Sequence, residues 1–145
     1  MIRARTALAL AFAAALAGAA ATPAGADAPR VAVHGTAELL DPGASDLRQV
    51  GTFSGAPLGT GRLDGRATVT GERTARMTIA LRGSKGFLRA SGTVRVSVDG
   101  ARLAYRGTAR VTSAAGAARA LKGSVLRLRG SGDLIDNRFA VDLAG

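Results

Sequence analysis

The sequence predicts an all-β fold, an antiparallel barrel of roughly eight strands, with a β-sandwich as the alternative. Three observations predict it. No helix-period stretch of useful length follows residue 26. Short alternating segments are instead punctuated by Gly, Asp-Pro, Asp-Gly and Ser-Gly. Residues 75–112 also fold on paper into a three-stranded meander that pairs apolar with apolar throughout.

Residues 1–26 stand apart from that domain. Met1-Ile2-Arg3-Ala4-Arg5 is a short basic stretch, Ala7 to Ala21 is apolar, and Ala24-Gly25-Ala26 is a small-x-small cleavage site. Together they read as a secretory signal peptide; the apolar run is too short and Ala-rich for a comfortable membrane span. The protein is thus expected outside the cell, with a single barrel domain over residues 27–145.

Val31–Leu39 is the first candidate strand, and the loop Asp41-Pro42-Gly43-Ala44-Ser45-Asp46 parts it from Arg48–Ser54. Leu58–Leu63 and Gly65–Thr70 follow, divided by Asp64-Gly65, which reads as a turn. The Gly71-Glu72-Arg73 connection leads to Ala75–Arg82 and sets Val69 opposite Ala75 and Ala67 opposite Met77. Turning at Gly83-Ser84-Lys85-Gly86 into Phe87–Val98 sets Leu81 opposite Leu88, Ile79 opposite Ala90 and Met77 opposite Gly92. A hairpin at Asp99-Gly100 then leads to Ala101–Thr112, with Val96 facing Leu103, Val94 facing Tyr105, Gly92 facing Gly107 and Leu88 facing Val111. Gly123–Ile135 and Arg138–Leu143 close at Asp136-Asn137, which puts Leu134 opposite Phe139, Gly132 opposite Val141 and Gly130 opposite Leu143.

Two features favour closure over a sandwich. Phe87–Val98 would run about 40 Å if straight, long for a domain of this size. Gly92, Gly107, Gly130 and Gly132 lie on its apolar side, where they let a sheet coil sharply, and a closed sheet exposes no edges.

The composition excludes several function classes. With no cysteine there are no disulfides, thiolate metal sites or Cys nucleophile. The formal charge is +10, almost all from arginine, which with the Ala and Gly load reads as high-GC bacterial coding bias. The arginines recur every second or fourth residue along the strands, as on any solvated sheet face; attraction to anionic polymers is the functional alternative. Aromatics make up 3%, too few for a nucleic-acid stacking platform, so no nucleic acid is expected.

Catalytic constellations are missing. The single histidine, His34, lies on the first strand with no Gly-x-Ser-x-Gly elbow to complete a triad. No His-x-x-x-His, His-Glu-x-x-His or clustered carboxylate pattern is present, so neither metal nor cofactor is expected. Asp64, Asp99, Asp133 and Asp142 all fall on the wet parity or in turns, which leaves no buried acid or base in the interior. Tyr105 is the one polar-tipped side chain assigned to the apolar face; it is expected to be a core residue whose hydroxyl reaches a backbone partner, with orientation of a ligand as the alternative.

Tyr105-Arg106-Gly107-Thr108-Ala109-Arg110-Val111-Thr112, the loop Ser113-Ala114-Ala115-Gly116, and Ala117 to Gly123 resemble one segment of the allene oxide cyclase-like and dirigent-like barrels. There an aromatic-x-Gly-Thr-Ala strand runs into a Gly-Gly-Thr-Gly loop, an aromatic and a small-Arg-Gly ending. Gly51 to Gly61 is similar to the Gly-rich hairpin near the start of such domains. Ser113-Ala114-Ala115-Gly116 replaces the Gly-Gly-Thr-Gly loop, and Ala118 stands where the aromatic would be. The resemblance implies an eight-stranded calycin-like barrel with an apolar lumen, a trimeric or dimeric assembly, and binding or steering of a small hydrophobic molecule.

The leading expectation is a secreted, non-catalytic or weakly catalytic barrel that binds a small apolar molecule in its lumen. Met77, Ile79, Leu81, Val94, Val96, Leu103 and Tyr105 are the candidate lining. The alternatives are a cell-envelope adhesion module, holding anionic polymer on its arginine-bearing face, and an isomerase or cyclase of the resembled family.

Overall fold

The computed structural model describes residues 29–40 and 46–145. The expected export segment, residues 1–26, and the loop residues Asp41 to Ser45 lie outside them. Eight strands follow in order: β1 (Ala32–Leu40), β2 (Asp46–Ala56), β3 (Gly59–Val69), β4 (Thr74–Gly83), β5 (Gly86–Asp99), β6 (Arg102–Gly116), β7 (Val125–Asp133) and β8 (Arg138–Ala144). Each pairs antiparallel with its chain neighbour, and β8 returns to β1, so the sheet is a closed eight-stranded barrel. Every strand carries the inward-outward alternation that closure requires; β1, for example, alternates exposed and buried residues along its whole length.

The β3–β4 and β4–β5 pairings are those the sequence predicts: Val69 faces Ala75, Leu81 faces Leu88, Ile79 faces Ala90 and Met77 faces Gly92. Three other expectations are corrected. Asp64-Gly65 is no turn but the middle of β3, where Asp64 pairs with Val50 and Ala80. Asp64 points outward and takes the Arg48 guanidinium at 2.7 Å, while Gly65 points inward, so the alternation runs through both.

The β5–β6 hairpin turns on Gly100-Ala101, which moves every partner by two residues: Val98 faces Leu103, Val96 faces Tyr105 and Val94 faces Gly107. Gly100 holds φ +59° at the first central position, the backbone that a two-residue hairpin with glycine first demands. Because the slip is even, each side chain keeps its predicted face. A bulge beside Arg89 and Ala90 then sets Leu88 opposite Ala114 rather than Val111.

The β7–β8 connection is likewise longer than expected, a four-residue loop from Leu134 to Asn137, so that Gly132 faces Phe139 and Gly130 faces Val141. Asn137 fixes it from a distance. Its side chain accepts from the Leu39 amide at 2.8 Å and donates to the Leu39 carbonyl at 2.9 Å, continuing the β1 ladder where β8 has ended.

Gly92 and Gly107 sit where neighbouring strands approach closely. A Cβ on Gly92 would run into the Thr108 carbonyl oxygen, and one on Gly107 into that of Thr93. No neighbouring side chain can move aside to relieve either collision, because the obstacle is backbone.

The two ends of the barrel differ. At one end the β2–β3 turn, the β4–β5 turn and the segment between β6 and β7 fold over the opening. Leu58, Ala118 and Leu121 plug it, each at most 2% exposed, above a layer of Leu81, Leu88 and Leu126. Their backbones are tied together: Lys85 N donates to Leu58 O at 3.0 Å and Ala117 N to Lys85 O at 2.9 Å. The other end, at the β3–β4, β5–β6 and β7–β8 turns, has no such plug among the described residues.

Candidate functional site

Small side chains open the interior near the unplugged end. Gly65 and Ala67 on β3 and Ala75 on β4 occupy inward positions there, and they leave a cavity of about 250 Å³. Met77, Val94, Val96, Leu103 and Tyr105 line it. Ile79 and Leu81 lie deeper, packed in the filled half at 1% and 0% exposure. A larger but shallow depression crosses the outer face of β8 through β4 and is lined by solvated side chains, among them the Arg48–Asp64 pair. The enclosed, apolar cavity is the candidate site.

Leu39, Leu47, Gln49 and Phe139 complete its wall. Gln49 is the residue that sequence reasoning missed. It is the one buried polar side chain among the described residues, 7% exposed. Its inward place was readable from the parity it shares with Phe53 on β2, but its polarity hides it from a search for apolar alternation.

The Tyr105 hydroxyl finds a side chain rather than the expected backbone partner: it reaches Gln49 across the lumen and donates to Oε1 at 3.1 Å. The ring has room because Gly130 faces Tyr105 on β7: a Cβ there would lie inside the phenol ring. Phe139 covers Gly132 in the same way from β8. Two glycines thus seat two aromatics, one on either side of β7. Burial pushes the Tyr105 phenol well above the ordinary tyrosine range. It therefore stays neutral at physiological pH and acts as a donor, not as a base.

The remaining sequence candidates lie elsewhere. His34 stands on the outer face of β1, exposed, with Nδ1 2.5 Å from Asp142 Oδ1. Asp64, Asp99, Asp133 and Asp142 are all outside the cavity lining. Glu72, on the exposed β3–β4 turn, is the only carboxylate among the described residues that touches the cavity, and it does so at the mouth. Two exposed large apolar residues, Val69 and Val98, also line the cavity. No protein-family model matches the chain, and neither a curated protein nor a solved structure does.

Proposed function

We propose that this protein is a binding barrel that takes a small, mainly apolar molecule into its open half. The observation that carries the reading is the cavity itself: 250 Å³, walled by aliphatic and aromatic side chains around a single polar couple. Sites for small molecules have this composition, an apolar wall with few placed polar groups. A dry cavity of about 150 Å³ holds benzene, so this volume suits a guest of about ten heavy atoms. The exposed Val69 and Val98 give the cavity an apolar edge beside Glu72. The signal-like N-terminus supports export, and sequencing of secreted protein should then find a mature end near Asp27. Calorimetric titration with isopropylbenzene tests the binding. The wild type should bind it, and Val96→Arg, which sets an unpaired charge in the wall, should abolish binding or folding. Absence of wild-type binding to isopropylbenzene and to polar molecules of similar size would end this reading.

A second reading, attachment to an anionic envelope polymer, is favoured by one feature of the outer surface. Arg95, Arg106 and Arg129 stand directly opposite one another on β5, β6 and β7. None forms a salt bridge among the described residues. Like charges placed so repel, and a polyanion laid across the three strands would relieve them. Retention on immobilised polyphosphate, lost in Arg106→Glu and weakened by salt, is the expected result. Unchanged retention in that variant would remove this reading.

A further inference from the structure

We infer that the guest carries a neutral hydrogen-bond acceptor, a carbonyl of the ketone, aldehyde, ester or lactone class, and that the Gln49 side-chain amide receives it. This deepens the binding reading above and rests on it.

One end of the Gln49 amide is occupied and the other is not. Tyr105 donates to Oε1, so the oxygen is satisfied and the carboxamide is held in one orientation. The nitrogen has no hydrogen-bond partner among the described residues. Yet no sealed-off polar side-chain atom lacks a partner. The amide nitrogen must therefore touch open space, and the space that Gln49 lines is the cavity.

A buried N–H pair facing an apolar wall is an unmet donor, and a guest without an acceptor leaves it unmet. The Tyr105 hydroxyl already spends its proton on Gln49, so it serves as the positioning group for the amide rather than as a second donor. Charge decides between acceptor types. Among the described residues no lysine or arginine lines the cavity, and the one charged residue that reaches it, Glu72, is negative. A carboxylate guest would lose its hydration with no cation to replace it and would face Glu72 at the mouth. A neutral carbonyl avoids both penalties.

Three probes of equal size separate the cases: acetophenone, isopropylbenzene and benzoate, titrated into the whole secreted protein. Acetophenone should bind about five- to tenfold more tightly than isopropylbenzene, as one net hydrogen bond implies, and benzoate more weakly than either. The chain has one glutamine and one asparagine, so the two side-chain amide pairs are the only ones in a nitrogen–proton correlation spectrum. The Gln49 pair should move downfield with acetophenone and not with isopropylbenzene, while Asn137, on the β7–β8 loop, stays still. Gln49→Met, unbranched and of similar length, should bring the two affinities together. Equal binding of acetophenone and isopropylbenzene by the wild type would overturn the acceptor assignment and leave the apolar cavity standing. Tightest binding of benzoate would overturn the neutral class. No binding of any of the three would overturn both this inference and the reading beneath it.

Discussion

The plugged half and the open half of the barrel are built on the same strands with opposite side-chain choices. In the plugged half, inward positions are leucine: Leu58, Leu63, Leu81, Leu88, Leu126 and Leu143 are all at most 2% exposed. In the open half β3 and β4 turn to Gly65, Ala67 and Ala75. The first choice fills the cylinder and supplies stability; the second withholds volume and leaves 250 Å³ unfilled. One sheet thus separates holding the fold from holding a guest. Backbone bonding ties the turns at both ends: Lys85 N donates to Leu58 O at 3.0 Å at the plugged end, and Leu134 N donates to Ala101 O at 2.7 Å at the open end.

The largest expected difference comes from one truncation made in both halves. Leu88→Ala empties a site that is 0% exposed and should destabilise by about 2–5 kcal/mol. Leu103→Ala enlarges a space already open and should cost about 1 kcal/mol or less, since little new cavity is created. Urea denaturation of both variants gives the two numbers directly. Equal losses would mean that the halves do not differ in packing.

Glycines offer the next contrast. Gly92→Val drives a branched side chain into the Thr108 carbonyl, and overpacking against backbone should cost about 1–3 kcal/mol or more. Thr93→Val, on the neighbouring outward position, should change stability by less than about 0.5 kcal/mol. Thermal unfolding distinguishes them, and similar shifts in the two would show that Gly92 does not face inward.

Much of this architecture was legible in the sequence. The inward face of β3 to β6 followed from alternation alone, since Val69, Met77, Leu88 and Val94 fit no other parity. Two registers were not legible, each for a physical reason. At Gly100 the backbone angle of one glycine decides which residues form the turn, and Asp99-Gly100 and Gly100-Ala101 preserve the same faces. At β7–β8 the deciding contact is Asn137 with Leu39, 98 residues away in the chain, which no local pattern encodes. The cavity was half legible. Alternation found its aliphatic wall, but volume depends on which inward residues are small, and Asp64-Gly65 resembled a turn rather than a gap in the core.

The single tyrosine lets the open half report on itself as pH rises. Its phenol is raised in the folded state by burial, whereas an unfolded tyrosine ionises near 10. The folded state holds the proton more tightly, so this contribution to stability is fully present below about pH 10 and declines above it. Absorbance at the tyrosinate band should rise only together with unfolding, and Tyr105→Phe should flatten the alkaline arm of the stability curve. An ionisation near 10 in the native protein would mean that the ring is not enclosed.

Gly65→Ala carries the smallest expected effect and separates the two roles of glycine most cleanly. Its Cβ would stand 3.4 Å from the Met77 methyl and 3.7 Å from Gln49 Cβ and Oε1, ordinary contact with side chains and none with backbone. Its backbone angle is not in the left-handed region, so alanine adopts it without strain. Stability should then hold or rise by about 0.5 kcal/mol, because alanine loses less freedom on folding than glycine does. Affinity should move the other way. One methyl group removed from the free volume should weaken the larger guests first, so isopropylbenzene would lose more than benzene. A variant that unfolds would show Gly65 to be a backbone requirement like Gly92. A stable variant with unchanged affinity for both guests would place them somewhere other than this cavity.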